Sequence, residues 1–247
     1  MSQKRVIVIG AGASGMTAAV FAARQGADVT LIEHGKRAGK KILSTGNGRC
    51  NFSNRYMDAS CYRSEVPDFP MKVISRFPLE MTLDFFRDMG GVFRERDGYL
   101  YPYSGQASAV LDILCSEIER EKVKLITECE TEHIADRNGS LCEYRVETSR
   151  GVFLGDSLII ATGGKAAPAT GSDGSGYRLA KQMGHHIIKP LPALVQLRCR
   201  ERFFSRLAGI RTEASVTLYS CGQILARDQG EVQLTDYGIS GIPVFQV

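Results

Sequence analysis

Three clusters of small and polar residues carry the chemistry available to this sequence. The first is Gly10-Ala11-Gly12-Ala13-Ser14-Gly15, followed after about 20 residues by an acidic residue, Glu33. Glycines spaced in this way clear side chains from a turn that opens a helix. Gly10 permits the tight turn, Gly12 lets backbone approach a pyrophosphate, and Gly15 lets the helix lie close on a sheet. The free N–H groups and positive dipole end around Ala13 and Ser14 suit phosphate. The Glu33 carboxylate is suited to accept both hydroxyls of an adenosine ribose. The chemistry is dinucleotide binding; a turn that binds nothing is the plain alternative.

The second cluster is Gly39-Lys40-Lys41-Ile42-Leu43-Ser44-Thr45-Gly46-Asn47-Gly48-Arg49-Cys50-Asn51. A loop so rich in Gly, Ser and Asn presents backbone N–H groups and amide side chains. It suits wrapping an extended ligand, such as the ribityl chain and ring of a flavin. Its candidate contacts are Lys41, Ser44, Asn47, Gly48, Arg49, Cys50 and Asn51, with Arg49 suited to pair with pyrophosphate. A surface loop is the alternative. The third cluster, Ala161-Thr162-Gly163-Gly164, follows a β-branched run, where small residues permit a cofactor to approach the carboxyl edge of a sheet. An ordinary strand-to-loop turn fits it equally well.

These clusters need a scaffold. Arg5 to Ile9 predicts a strand buried on both faces, Ser14 to Gln25 a helix and Asp28 to Glu33 a second buried strand, together a β-α-β unit. Gly35 to Asn54 is loop-like. Helices are predicted over Leu79 to Met89, with Leu79, Leu83 and Phe86 on one face, and over Gln106 to Glu121, with a short hairpin in Val92 to Tyr101. Val123 to Ile126 reads as a strand. Cys142 to Thr148 and Val152 to Leu154 read as a small antiparallel layer, Ser157 to Ala161 as a buried parallel strand, and Tyr177 to Gly184 as a helix. After Pro192 the pattern changes to strands at Leu194 to Cys199, Ala214 to Tyr219, Ile224 to Arg227 and Val232 to Thr235, with turns at Cys221-Gly222-Gln223 and Gln229-Gly230. The expected class is α/β: a Rossmann-like dinucleotide-binding domain over 1–191, with a parallel central sheet and a small antiparallel layer, then a β-rich domain over 192–247.

The 247 residues carry a net charge of +4, with 23% charged and 43% hydrophobic, an ordinary globular composition. The dense basic run Lys36-Arg37-Ala38-Gly39-Lys40-Lys41 lies inside the glycine-rich loop, so nucleic acid is not an expected partner. Seven cysteines, with no C-x-x-C spacing, argue against a disulfide framework and a zinc site and fit a reducing cytoplasm. Val6 to Ala23 is uncharged, but Gly10, Gly12 and Gly15 make it too weakly apolar for a membrane span or a targeting signal.

The three clusters, with Tyr101-Pro102, Thr170-Gly171-Ser172-Asp173-Gly174-Ser175-Gly176 and Tyr237-Gly238-Ile239-Ser240-Gly241, resemble the BaiN-like or aminoacetone oxidase-like bacterial flavoproteins. These are related to glutathione reductase in their FAD-binding domain. The resemblance spans nearly the whole chain, and Gly48-Arg49-Cys50-Asn51 is its most specific element. It implies FAD, with Glu33 on the adenosine ribose, an adenine contact from backbone near Thr131, and the β-rich domain as an insertion. Small residues at Ala166-Ala167 imply a wider pocket beside the flavin. In the family a returning C-terminal segment completes the flavin domain. By this resemblance the chain stops inside the inserted domain, is expected to hold FAD weakly, and retains the adenosine half of the site.

His185-His186 read as surface or helix-end residues rather than metal ligands, and no metal site is expected. His34 is placed near the adenine. Cys50 reads as packing beside the flavin, since no partner cysteine is near it in sequence, and Tyr101 and Tyr103 suit either a substrate cavity or the core. No catalytic acid or base is identified. The expected function is FAD-dependent transfer of a hydride between flavin and either a nicotinamide (NADH or NADPH) or a small organic substrate. A flavin-dependent RNA-modifying enzyme and a non-catalytic flavin-binding module are the alternatives.

Overall fold

Val6 and Val8 point to one side of the first strand, Ile7 and Ile9 to the other, and all four are buried. A strand without a polar face needs cover on both sides. This strand, β1 (Arg5–Ile9), leads through α1 (Ala13–Arg24) to β2 (Asp28–Ile32), which runs parallel to it. The structure, a computed structural model, describes residues 3–62, 64–136 and 143–247. The chain forms two compact units, one ending at Ile187 and the other spanning Ile188–Val247.

After β2 come the two-residue β3 (Ser53–Asn54), α2 (Phe69–Ile74), α3 (Leu79–Asp88), and the hairpin β4 (Phe93–Arg96) and β5 (Tyr99–Pro102), which β3 joins as a third strand. Then follow α4 (Ala107–Arg120), β6 (Lys124–Ile126), β7 (Thr131–Asp136), β8 (Tyr144–Thr148), β9 (Gly151–Gly155), β10 (Ser157–Ile160) and α5 (Ser175–Gln182). The central sheet is ordered β10-β1-β2-β6 and is parallel throughout. The chain moves from β1 to β2 on one side and later returns to β10 on the other. That reversal makes the carboxyl ends of β1 and β10 a topological switch point, where open α/β sheets bind ligands.

Two cores follow from the alternation in β1. On one face Val6, Val8, Val29 and Leu31 pack with Met16 and Val20 of α1 and Val110, Leu114 and Ile118 of α4. On the other, Ile7, Ile9 and Ile32 pack with Ile134 of β7, Val146 of β8 and Leu179 of α5. Burial of each large aliphatic side chain contributes about 1.5–3 kcal/mol. The antiparallel layer β7-β8-β9 is thus the second cover of the sheet. At the amino edge of the sheet, Arg5 binds Asp156 at 2.7 Å and Glu143 at 3.2 Å.

The expected α/β architecture with a parallel sheet and a small antiparallel layer is what the structure has, with several local corrections. The helix α2 and the strand β7 were not foreseen. Phe85, as well as Leu83 and Phe86, is buried on α3, because it packs against Phe21 of α1 at 4.7 Å. Of the predicted strand from Cys142, Cys142 itself lies outside the described residues and the strand runs from Tyr144.

The second unit contains β11 (Leu197–Arg198), β12 (Arg211–Ser220), β13 (Gln223–Thr235), β14 (Gly238–Gly241) and α6 (Ile242–Gln246), in an antiparallel sheet ordered β11-β14-β13-β12. The predicted turn at Gln229-Gly230 is absent: β13 runs through it, with Gly230 paired to Ala214. Gly230 instead marks close packing, since a Cβ there would stand 3.3 Å from Pro243 of α6. The last residues form the helical α6.

One buried charge joins α1 to α4. The Glu117 carboxylate is 4% exposed and accepts from Arg24 Nε at 3.0 Å and from Arg120 at 2.6 Å. Glu117→Ala would leave the three-quarters-buried Arg24 with only the more distant Glu121, 3.9 Å from its Nε. The expected loss of stability is about 3 kcal/mol, the low end for such a change because Arg24 keeps some contact with water. Urea unfolding of the variant checks it, and a midpoint equal to the parent's would contradict it.

Candidate functional site

A cavity of about 550 Å³ lies at the switch point. Its walls come from the residues that follow the strand ends: Ile9 to Ser14 after β1, Ile32 to His34 after β2, and Ala161 to Gly163 after β10. Cys129 to Thr131 at the start of β7, the basic loop Arg37 to Ile42 and the segment Thr170 to Asp173 close the rest.

The glycine turn has the geometry of a cradle. Gly12 is the N-cap of α1 and no side chain caps that end, so the first-turn N–H groups lack a side-chain acceptor. A Cβ built on Gly12 would meet nothing within 4 Å, and Gly12 lines the cavity. Gly15 is the opposite case: a Cβ there would stand 1.7 Å from the carbonyl oxygen of Gly10. The protein itself therefore requires a glycine at Gly15, whereas space at Gly12 is open to a ligand.

Glu33 organises this turn. Its Oε2 accepts the Ala11 N–H at 2.8 Å and its Oε1 accepts the Gly35 N–H at 2.7 Å. Its side chain is 13% exposed, and each carboxylate oxygen retains a further lone pair for a ribose hydroxyl. His34 Nε2 lies 3.9 Å from Glu33 Oε1. The sequence points to the ribose role of Glu33; its backbone role emerges only where β1 and β2 end side by side.

A second helix, α5, also begins at the cavity, but its first N–H already has an acidic acceptor. Asp173 Oδ1 accepts the Ser175 N–H at 2.9 Å. That bond, with the Ser175 hydroxyl and His34 adding to it, holds the Asp173 carboxyl below the usual carboxylate range. Of the two helix starts, α1 is the one left open to an anion.

The basic loop crosses to the opposite wall. Lys41 Nζ donates to Ser172 Oγ at 2.8 Å and Lys40 Nζ to the Ala169 carbonyl at 2.7 Å, while the Gly39 N–H donates to Ala11 O at 2.8 Å. Across the cavity, Arg178 of α5 donates to the backbone carbonyls of Thr131 and Glu132, fixing the start of β7. Thr131 Oγ1 is buried without a hydrogen-bond partner.

Of the residues singled out from sequence, the cavity brings together Gly10, Gly12, Ala13, Ser14, Glu33, His34, Lys41, Thr131, Ala161, Thr162 and Gly163. Gly15 supports the turn from beneath, and Gly164 lies off the wall, with the position of its Cβ 3.1 Å from the Tyr177 hydroxyl. The distal loop diverges from expectation. Ser44, Asn47, Gly48, Arg49, Cys50 and Asn51 do not line this cavity. The 3₁₀ segment Ile42–Gly48 breaks at Thr45 to Asn47, with Gly46 and Asn47 at positive φ, and only Ile42 and Thr45 of it stay on the wall. Arg49 is exposed. Cys50 is in the aliphatic core, and Asn51 lines a separate, more open cleft with Phe52, Tyr56, Tyr62 and Tyr99. Oriented to donate, the Asn51 amide bonds the carbonyls of Ser53 at 2.8 Å and Leu100 at 3.3 Å. Sequence reasoning missed Arg37, Lys40, Ser172 and Asp173 as wall residues. The signal for the last two was the Thr170–Gly176 motif, whose facing position only the fold reveals.

The sheet order, the uncapped α1 and the carboxylate at the end of β2 define a Rossmann-type domain with its cavity at the switch point. Residues 4–240 match the family described as the HI0933-like protein Rossmann domain, and the chain belongs to that family. It is 46% identical over 245 residues to a 3-dehydro-bile acid delta(4,6)-reductase of Clostridium scindens, covering 98% of this chain and 59% of that protein. It is 30% identical over 245 residues to a ribosomal RNA dihydrouridine synthase of Haemophilus influenzae, covering 98% of this chain and 60% of that one. The chain therefore spans about three-fifths of the length of these curated relatives. Among solved structures, an L-proline dehydrogenase from P. horikoshii superposes with a TM-score of 0.53 at 14% identity, covering 76% of this chain and 58% of the other, a likeness of fold. Among the described residues no helix is long and apolar enough to cross a membrane, and no group of His, Cys, Asp and Glu is arranged to hold a metal.

The two glycines separate binding from folding. Gly12→Ala is expected to leave the thermal midpoint unchanged and to lower ADP affinity at least about tenfold by putting a methyl where phosphate would sit. Gly15→Ala is expected to lower the midpoint itself, as its methyl meets the Gly10 carbonyl. Calorimetric melting and ADP titration of both variants decide this.

Cysteine reactivity gives a second expectation. Burial pushes the Cys50 thiol up, with a bond to Thr45 opposing the shift, so less of it is thiolate at neutral pH. Cys61 and Cys221 are exposed. Among the cysteines of the described residues, a thiol reagent at pH 7.5 should label Cys61 and Cys221 first and Cys50 only on unfolding; early labelling of Cys50, read by mass spectrometry, would contradict its buried placement.

Proposed function

We propose that the cavity binds FAD and that the protein is a flavin-dependent oxidoreductase acting on a small organic molecule. The observation that carries the reading is the uncapped N-terminus of α1, where Gly12 faces open space and the Glu33 carboxylate stands beside the turn. The donor set fits the group. The α1 N–H groups would hold the pyrophosphate, Glu33 the adenosine ribose, and the apolar walls at Cys129 and Leu179 the adenine, near Thr131. A 2′-phosphate would meet the charge of Glu33, so a plain adenosine is favoured. Lys41 and Thr45 extend the wall beyond the pyrophosphate.

Bound FAD supplies hydride transfer at its N5, the chemistry the protein positions rather than performs. The names of the two relatives describe one reaction type: saturation of a ring C=C bond conjugated with a carbonyl, one in a steroid acid and one in a uracil base. In such a reaction a hydride goes to the electrophilic carbon and a proton to its neighbour. The greater similarity to the bile-acid reductase supports a conjugated cyclic ketone as the substrate class, with NADH or NADPH as the proposed electron source.

The test begins with binding. ADP and FAD are expected to compete for one site, whereas FMN and 2′-phospho-ADP are expected to compete poorly. Anaerobic NADH or NADPH should bleach the flavin absorbance, and a 3-oxo-4-ene steroid acid should restore it. FMN binding as tight as FAD would overturn the assignment of the adenosine half. Bleaching reversed by uridine-containing RNA but not by the steroid would move the substrate class to the nucleobase.

A further inference from the structure

We infer that the open cleft beside the small sheet β3-β5-β4 is the site for the organic substrate, a flat, uncharged, fused ring system carrying a conjugated ketone. Calling this molecule the substrate rests on the oxidoreductase reading above; the binding site itself stands on the geometry of the cleft. The cleft has a volume of about 540 Å³, within the range of small-molecule sites, and shares no lining residue with the dinucleotide cavity. Tyr56, Tyr62 and Tyr99 line it, with Met57 beside them. Tyr56 is 67% exposed and Tyr99 43%. Aromatic faces open to water around a hollow are surface that a flat apolar ring would cover. The tyrosine hydroxyls and that of Ser53 supply donors for a carbonyl at the edge of the ring.

Charge decides between ligand classes. Among the described residues no Lys, Arg, Asp or Glu lines the cleft, so nothing there would neutralise a phosphate chain or pair with a charged peptide. Arg55, between Asn54 and Tyr56 in sequence, is engaged by Glu80 at 3.1 Å and Glu95 at 2.5 Å. An extended peptide has little edge to pair with, because β3 is only two residues long. The volume suits a fused ring system better than a single ring.

The walls are set before a ligand arrives. The Phe52 N–H donates to Leu100 O at 3.0 Å and the Arg55 N–H to Gly98 O at 2.8 Å, so β3 and its flanks are held on β5. Asn54 Oδ1 accepts the Tyr56 N–H at 2.8 Å, and Asp58 Oδ1 accepts the Ser60 N–H at 2.9 Å in the 3₁₀ turn Ala59–Cys61 that leads into Tyr62. Fixed backbone lowers the ordering cost of binding. The cleft also adjoins the dinucleotide cavity through a single turn. Thr45 lines the cavity, its carbonyl accepts the Cys50 N–H at 3.0 Å, and the next residue, Asn51, lines the cleft. A Cβ on Gly46 would stand 2.7 Å from the Asn51 nitrogen, so this turn closes tightly on itself. An oxidoreductase must bring substrate and cofactor together, and the cleft begins where the cavity wall at Thr45 ends.

The probe is androst-4-ene-3,17-dione, a neutral fused-ring enone. The protein has nine tyrosines and no tryptophan, so tyrosine fluorescence follows the titration. The steroid should bind with and without FAD present, and its affinity should not change with salt, because no charge is involved. Bound steroid should slow thiol labelling of Cys61, which lines the cleft, and leave that of Cys221 in the second unit unchanged. Y56A/Y99A should weaken steroid binding at least about tenfold, whereas Y56F/Y99F should retain most of it because the rings remain. ADP affinity should be unaltered in both variants, and the altered side chains are exposed, so far-UV circular dichroism should match the parent. Four results overturn the inference: no saturable steroid binding in either state; binding that leaves Cys61 labelling unchanged and persists in Y56A/Y99A; displacement of the steroid by ADP, which would place it in the dinucleotide cavity; or protection of Cys61 by uridine and not by the steroid. Steroid protection of Cys61 in a protein that binds neither ADP nor FAD would overturn the flavin reading and uphold the cleft as the ring-binding site.

Discussion

The Glu33 carboxylate takes two backbone N–H groups at once, and the cavity depends on that arrangement. One comes from Ala11 in the turn after β1, the other from Gly35 in the segment after β2. Hydrogen bonds to a charged acceptor are stronger than neutral ones, and a largely buried carboxylate must be satisfied. The Ala11 carbonyl in turn accepts from Gly39, which draws the basic loop to the same place. Two loop segments that follow neighbouring parallel strands are therefore bonded to one another at the carboxyl edge of the sheet. The same acidic residue that suits a ribose holds the turn in the form that leaves the α1 N-terminus open.

Two helices start at the cavity, and both have a glycine at the N-cap without a side-chain cap from that residue. At α5 the protein supplies its own anion, Asp173, to the Ser175 N–H. At α1 there is no acidic residue in the first turn and no capping side chain. An incoming phosphate is attracted where the dipole and N–H groups lack an internal counter-charge, and repelled by Asp173 near the other helix. The lysines of the basic loop cross the cavity to Ser172 and Ala169, so these cationic side chains stand near the site bound to neutral oxygens.

Charge is handled differently in the two units. In the first, several arginines hold elements together: Arg24 on Glu117 between α1 and α4, Arg5 on Asp156 at the foot of β1, Arg178 on the carbonyls that begin β7. In the second, Arg200, Arg202 and Arg206 of the segment before β12 remain in water near the exposed Phe203, which stacks on the half-buried Phe204. The first pattern stabilises a fold; the second leaves interaction capacity at the surface.

The sequence by itself determined the β1-α1-β2 unit, the α4 helix and the nature of the glycine turn. Each depends on short-range periodicity: a two-residue alternation buried on both faces, a 3.6-residue stripe, and three glycines whose roles are local. The tertiary structure decided what local pattern could not express. Gly230 looked like a turn, but pairing with Ala214 kept it in β13, because ladder hydrogen bonds and the packing of Pro243 outweigh local preference. The loop from Ser44 to Asn51 looked like one continuous ligand wrap, yet positive φ at Gly46 and Asn47 carries its distal part off the wall and buries Cys50 in the core. Ser172, Asp173 and Lys40 became wall residues only because β10 returns beside β1 and brings distant loops to one edge. Such contacts join residues more than a hundred positions apart, and no local periodicity encodes which of them will meet.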